Sequence, residues 1–150
     1  MISLVTLAHR VSSIHKRYAA IHSSVFSFSI SQLKINFWRR KKTEYCDYEA
    51  ALVQMCRELA EIRAIIDREE TLEQANTINR EFAFALDVYI IALSDAITWL
   101  STICGRRCRD HKGEETYSAK QDWADRHDYD DAIQQYRYLG KRLESLFNRL

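Results

Sequence analysis

Residues Thr77 to Cys104 read TINREFAFALDVYIIALSDAITWLSTIC, a stretch with no Gly and no Pro. As a helix it would be roughly 40 Å long at ~1.5 Å per residue. Leu86, Tyr89, Leu93, Ala96, Leu100 and Ile103 recur at spacings of three and four, which places them on one seam. Phe84, Val88 and Ile91 form a second apolar line on another face. A helix apolar on more than one face belongs at the centre of a bundle, so the other segments are expected to pack around this one.

The rest of the chain repeats the rhythm. Leu4, Leu7, Val11, Ile14, Tyr18, Ile21, Val25 and Phe28 make a seam of nearly four heptads. A rival pattern overlaps its end: Phe26, Phe28 and Ile30 alternate with Ser27, Ser29 and Ser31 as in a half-buried strand. A lone strand has no partner in a helical chain, so helix is preferred. Tyr45, Tyr48, Leu52, Met55, Leu59, Ile62 and Ile66 form the next seam, and Tyr129, Ile133, Tyr136, Gly140, Leu143, Phe147 and Leu150 the last.

Three breaks separate the seams. WRRKKTE at 38–44 interrupts the first, with Thr43 placed to cap the helix that follows. Thr71 with Gln74 has capping-box spacing, although the second and third helices could also be continuous. Gly105 follows the central seam as a helix C-cap should, with Arg106 and Arg107 beside the negative helix end, and Gly113 lies in the same loop. Ser118 with Gln121 opens the last helix. The expectation is one all-α domain over residues 1–150, an antiparallel four-helix bundle with helices over 4–28, 45–66, 77–104 and 118–148.

Composition agrees. Apolar residues make up 47% and charged residues 29%, the balance of a soluble globular chain. The absence of Pro and the presence of only three Gly disfavour all-β and loop-rich folds. The net charge of +1 makes no general case for nucleic acid or membrane surfaces. The longest uncharged run, Tyr18 to Leu33, is too short and too polar for a good membrane span. Four Cys are too few for a disulfide scaffold, and the N-terminus has no secretory pattern, so a reducing cytoplasm is expected.

An up-down-up-down order brings 38–45 and 105–116 to one end. Arg39, Arg40, Lys41, Lys42, Arg106, Arg107, Arg109 and Lys112 gather there, with Cys46, Cys104, Cys108 and His111. A Cys₃His zinc site from the last four is one reading, since thiolate and imidazole suit zinc. Packing cysteines, with no bound metal and no cofactor, is the preferred one. Clustered Arg and Lys also suit phosphate groups, but Asp110, Glu114 and Glu115 dilute them. The acidic run DWADRHDYDD at 122–131 lacks the ligand order of an EF-hand loop. Its carboxylates suit the positive start of the last helix. His15 and His22 read as flank histidines of the first seam.

The hexapeptide RRCRDH places Arg106 five positions before His111. This resembles the short Arg-x4-6-His motif of HEPN-type ribonucleases, compact helical bundles that often dimerise. Arg107 stands where that family favours a polar residue. The resemblance implies a metal-independent RNA-cleaving site built from Arg106 and His111.

No P-loop, GxGxxG, GxSxG, HExxH or Glu-x-x-His pair occurs. The reading preferred from sequence is therefore a non-enzymatic helical binding protein of an inhibitor, immunity, antitoxin, adaptor or chaperone type. Its expected contact residues are Phe84, Val88 and Ile91, with Asp122, Asp125 and Asp128 facing a basic partner such as a toxin or effector. Homodimerisation through Phe84, Val88 and Ile91 is the other use of that stripe.

Overall fold

The computed structural model describes residues 2–26, 37–69 and 76–150, and of 37–43 and Glu69 the backbone only. They form four helices and, among the described residues, no strand: α1 (Leu4–Phe26), α2 (Phe37–Glu69), α3 (Thr77–His111) and α4 (Ala119–Phe147). Cross-helix pairs fix the directions. Cys46 meets Cys108 and Arg63 meets Asp87, so α2 and α3 are antiparallel. Arg106 meets Asp125 and Phe82 meets Phe147, so α3 and α4 are antiparallel. His9 meets Phe147 and Phe26 meets Tyr129, which sets α1 antiparallel to α4. The fold is an antiparallel four-helix bundle.

The seams mark the core. Leu7, Val11, Ile14, Tyr18 and Val25 of α1 are buried, as are Leu52, Met55, Leu59, Ile62 and Ile66 of α2. α3 is central: Leu86, Leu93, Ala96, Leu100 and Ile103 are fully buried, joined by Phe82, Ile90 and Ile97 from beside the seam. Truncating one such Leu to Ala costs about 2–5 kcal/mol. α3 is also the only helix among the described residues long and apolar enough to cross a membrane by length and composition. A bundle's core helix has the same character, and here both flanks of α3 are packed, by α2 and α4.

Two expected boundaries are corrected. α2 runs back to Phe37, through the supposed break at 38–44 and the supposed cap at Thr43. WRRKKTE breaks the apolar seam, but its Arg, Lys and Glu are good helix formers and nothing in it stops the backbone. Gly105 does not end α3. It is buried mid-helix, where a Cβ would lie 2.7 Å from the Glu49 carboxylate of α2. Its small size serves this close approach. α3 ends instead in a Schellman motif at Gly113, whose φ is +74°. The Gly113 N–H donates to the Asp110 carbonyl at 3.0 Å and the Glu114 N–H to the Arg109 carbonyl at 2.9 Å. The α3 N-cap is Asn76, whose side chain accepts from the Ile78 N–H at 3.0 Å. Thr71 and Gln74 lie outside the described residues, as do Ser27 to Ser31 of the strand alternative. The capping box of Ser118 and Gln121 is present in both directions.

α1 stands apart from α4. No Cα of α1 lies within 8 Å of one in α4 among the described residues, whereas α2–α3 and α3–α4 run in close backbone contact. The gap between α1 and α4 is bridged by side chains.

Candidate functional site

At the end where α3 finishes and α4 starts, the arginines are taken up internally. Arg106 Nη1 donates to Asp125 at 2.5 Å and its guanidinium lies over the Tyr117 ring. Arg107 donates to Asp122 at 2.9 Å and to the Tyr45 hydroxyl at 3.3 Å. It is held between the rings of Phe26 and Tyr45, at 5.6 and 5.5 Å. Arg109 donates to Glu115 at 2.6 Å. The side chains of Arg39 to Lys42 lie outside the described residues. Three of the arginines that suggested anion binding thus neutralise the first turns of α4 and its preceding loop.

The structure does not bring Arg106 and His111 together within one chain. Arg106 turns to α4, while His111 stacks flat on Tyr45 of α2, 5.7 Å between centroids. The four candidate zinc ligands do not converge either. Cys46 and Cys108 are joined as a disulfide, with Cα atoms 5.2 Å apart, and Cys104 is buried alone. No group of three His, Cys, Asp or Glu is arranged for a metal among the described residues. Burial pushes the Cys104 thiol up to about 12. A disulfide persists in oxidising surroundings and is reduced in a reducing cytoplasm, so the compartment decides whether this bond is closed.

The expected contact residues divide into two sets. Asp122 and Asp125 are the internal partners of Arg107 and Arg106, and Asp125 is buried with the Tyr117 hydroxyl donating to it at 2.7 Å. Asp128 is exposed. It lines a groove of about 440 Å³ between α3 and α4 with Asp95 and Asp131, floored by Ala92, Trp99 and Ala132. The second apolar line of α3 leads into this groove. Phe84 is 66% exposed and Ile91 40% exposed, with Val88 half-buried between them. Residues 84, 88, 91, 95 and 98 fall at spacings of four and three, so apolar stripe and acidic groove are one continuous helix face. On α4, residues 131, 135 and 138 extend the groove in the same way, and Tyr138 there is 72% exposed. The outer face of α3 and α4 is therefore apolar at one end and acidic at the other.

The opposite side of α4 faces α1 across a second groove, of about 430 Å³. At its base the Tyr18 and Tyr129 hydroxyls share a hydrogen bond of 2.6 Å, and His22 Nδ1 lies 2.7 Å from the Tyr129 oxygen. Burial drives both phenols far above their ordinary range. Tyr89 is pushed up to about 12, again by burial. His15 and His22 are lowered below 6.5, first by burial and then by the Arg137 charge. Gly140 admits the Tyr89 ring, which would lie 3.2 Å from a Cβ at that position. His15 and His22 stand in the sequence seven residues apart beside the α1 seam, but their meeting with Tyr129 and Tyr136 spans more than a hundred residues. Only the tertiary fold reveals it.

The sequence matches no protein-family model, no curated protein and no solved structure.

Proposed function

We propose that this chain is a non-catalytic helical binding protein whose outer α3–α4 face receives a basic amphipathic segment of a partner protein, in the manner of an inhibitor or adaptor. The observation that carries this reading is the continuity of the exposed Phe84–Val88–Ile91 stripe with the groove of Asp95, Asp128 and Asp131. Burying each large apolar side chain contributes about 1.5–3 kcal/mol. Three carboxylates one turn further on select positive charge and suppress acidic partners. From Phe84 to Thr98 the face spans roughly 21 Å at ~1.5 Å per residue, the length of a helix of about 14 residues. Helix-in-groove docking uses such spacing of anchors.

The test uses two fluorescent 14-residue helical peptides with the same Leu positions, one carrying Lys and the other Glu on its polar positions. Fluorescence anisotropy should show saturable binding of the Lys peptide alone. The F84D/I91D variant should weaken it tenfold or more, and D128N/D131N should weaken it and flatten its salt dependence. Equal binding of both peptides, or none of either, would overturn the reading. So would a concentration-dependent dimer that F84D/I91D disperses, which would give the face to a second copy.

A further inference from the structure

The groove between α1 and α4 has a different chemistry from the outer face. Its walls are rings: His15 and Tyr136 meet edge to face at 5.7 Å, Tyr18 and Tyr136 at 6.0 Å, and Tyr89 and Tyr136 at 6.3 Å. Above them, Arg137 and Lys141 stand one turn apart on α4, and both line the groove. Among the described residues neither takes part in an ion pair, whereas Arg17, Arg63, Arg106, Arg107 and Arg109 are each paired with a carboxylate. Glu144 is the acidic residue lining the same groove, one turn beyond Lys141. The nearness of Arg137 is felt by His15 and His22, both held toward their neutral form.

We infer that this groove is a binding site for a small aromatic carboxylate, its ring laid against Tyr136 and Tyr89 and its carboxylate held by Arg137 and Lys141. The volume of about 430 Å³ lies within the range of small-molecule pockets, roughly 300–1,000 Å³. Such pockets are mainly apolar and aromatic with a few convergent polar groups, and here two cations stand together with Glu144 beyond them. Guanidinium is suited to carboxylate because it donates two parallel N–H bonds. The groove exists because α1 and α4 are spaced by tyrosine and histidine rings and not by backbone contact. The hydroxyl chain Tyr18–Tyr129–His22 closes its floor, and among the described residues no fully buried side-chain polar atom lacks a partner. The free polar groups are thus those at the rim, where a carboxylate would sit.

The probe is 2-naphthoate, with 2-naphthylmethanol as its uncharged counterpart, titrated into the full chain and followed by amide NMR shifts. Saturable binding of naphthoate is expected, with the largest shifts at Tyr89, Tyr136 and Gly140. Naphthylmethanol should bind about tenfold more weakly, the weight of a charge-assisted contact. The exposed-site variant R137E/K141E should abolish naphthoate binding. Should that variant fail to fold by circular dichroism, A19F serves instead: it fills the groove from the α1 side, leaves both cations, and should also abolish binding. Equal affinity for the two probes, shifts confined to the outer α3–α4 face, or undiminished binding in A19F would overturn the inference.

Discussion

Opening the Cys46–Cys108 bond is the perturbation whose size follows most directly from the structure. The two cysteines are 62 residues apart and tie the start of α2 to the end of α3. Closing a loop of that length removes conformational freedom from the unfolded chain worth about 4 kcal/mol in the chain-entropy treatment. For a chain of this size each kcal/mol moves the melting temperature by about 2–4 °C, so reduction should lower it by roughly 10 °C. The native bond should also resist shuffling. Cys104 is one turn from Cys108 and is the nearest candidate to attack it, but burial pushes its thiol up to about 12, so the reactive thiolate is scarce. Thiol titration in denaturant should find two reactive thiols, Cys56 and Cys104, before reduction and four after it. Thermal melts with and without reductant should differ, and the C46S/C108S variant should match the reduced curve and ignore reductant. Four thiols in the unreduced protein, or coincident melts, would refute the reasoning.

Other expectations follow from individual contacts. Asp125→Ala should destabilise by about 1–3 kcal/mol in urea titration, because it removes a buried acceptor from both Arg106 and Tyr117. F84D and I91D singly should leave urea stability within about 0.5 kcal/mol, as exposed positions do; loss of the helical signal would place these side chains in the core. His15 and His22 are lowered below 6.5 in the folded chain, so the unfolded chain takes up their protons first. Their contribution to stability is complete above pH 6.5 and declines as pH falls through the folded values. Urea midpoints should therefore drop below pH 6.5, less so in H15Q/H22Q, and NMR titration should place both imidazoles below 6.5. Gly105→Leu should destabilise by about 1–3 kcal/mol, the cost of overpacking a buried site whose nearest neighbour, the Glu49 carboxylate, can turn partly aside, and Glu49→Ala should relieve part of the loss.

The helices were legible because burial here follows a single period. Each seam residue from Leu52 to Ile66 and from Leu86 to Ile103 that lies inward could be placed by counting threes and fours. Boundaries were less legible where two signals share one residue. Gly105 has the look of a terminator, yet its role is to let Glu49 approach. WRRKKTE has the look of a loop because it is charged, yet charge interrupts a seam without interrupting a backbone. The outer stripe of Phe84, Val88 and Ile91 was visible on a helical wheel, since it lies away from the seam. Its neighbour, the groove of Asp95, Asp128 and Asp131, was not, because it pairs two helices at a register the sequence does not state. Asp122 and Asp125 show the reverse difficulty: in sequence they belong to the same acidic run as Asp128, but their partners Arg107 and Arg106 come from the end of α3.

The separation of α1 from α4 gives the molecule an uneven resistance to opening. α2, α3 and α4 form a continuous layer of close helix pairs, whereas α1 meets α2 and α3 over a much smaller close contact and reaches α4 through side chains. A segment attached in this way detaches as a unit, with a free energy below that of global unfolding. Its amides should exchange hydrogen sooner than those of α3, and proteolytic nicking should begin there. A molecule entering between α1 and α4 would not need the bundle to unfold. It would need only the first helix to lift, and once seated it would slow the exchange of α1 while leaving that of α3 unchanged.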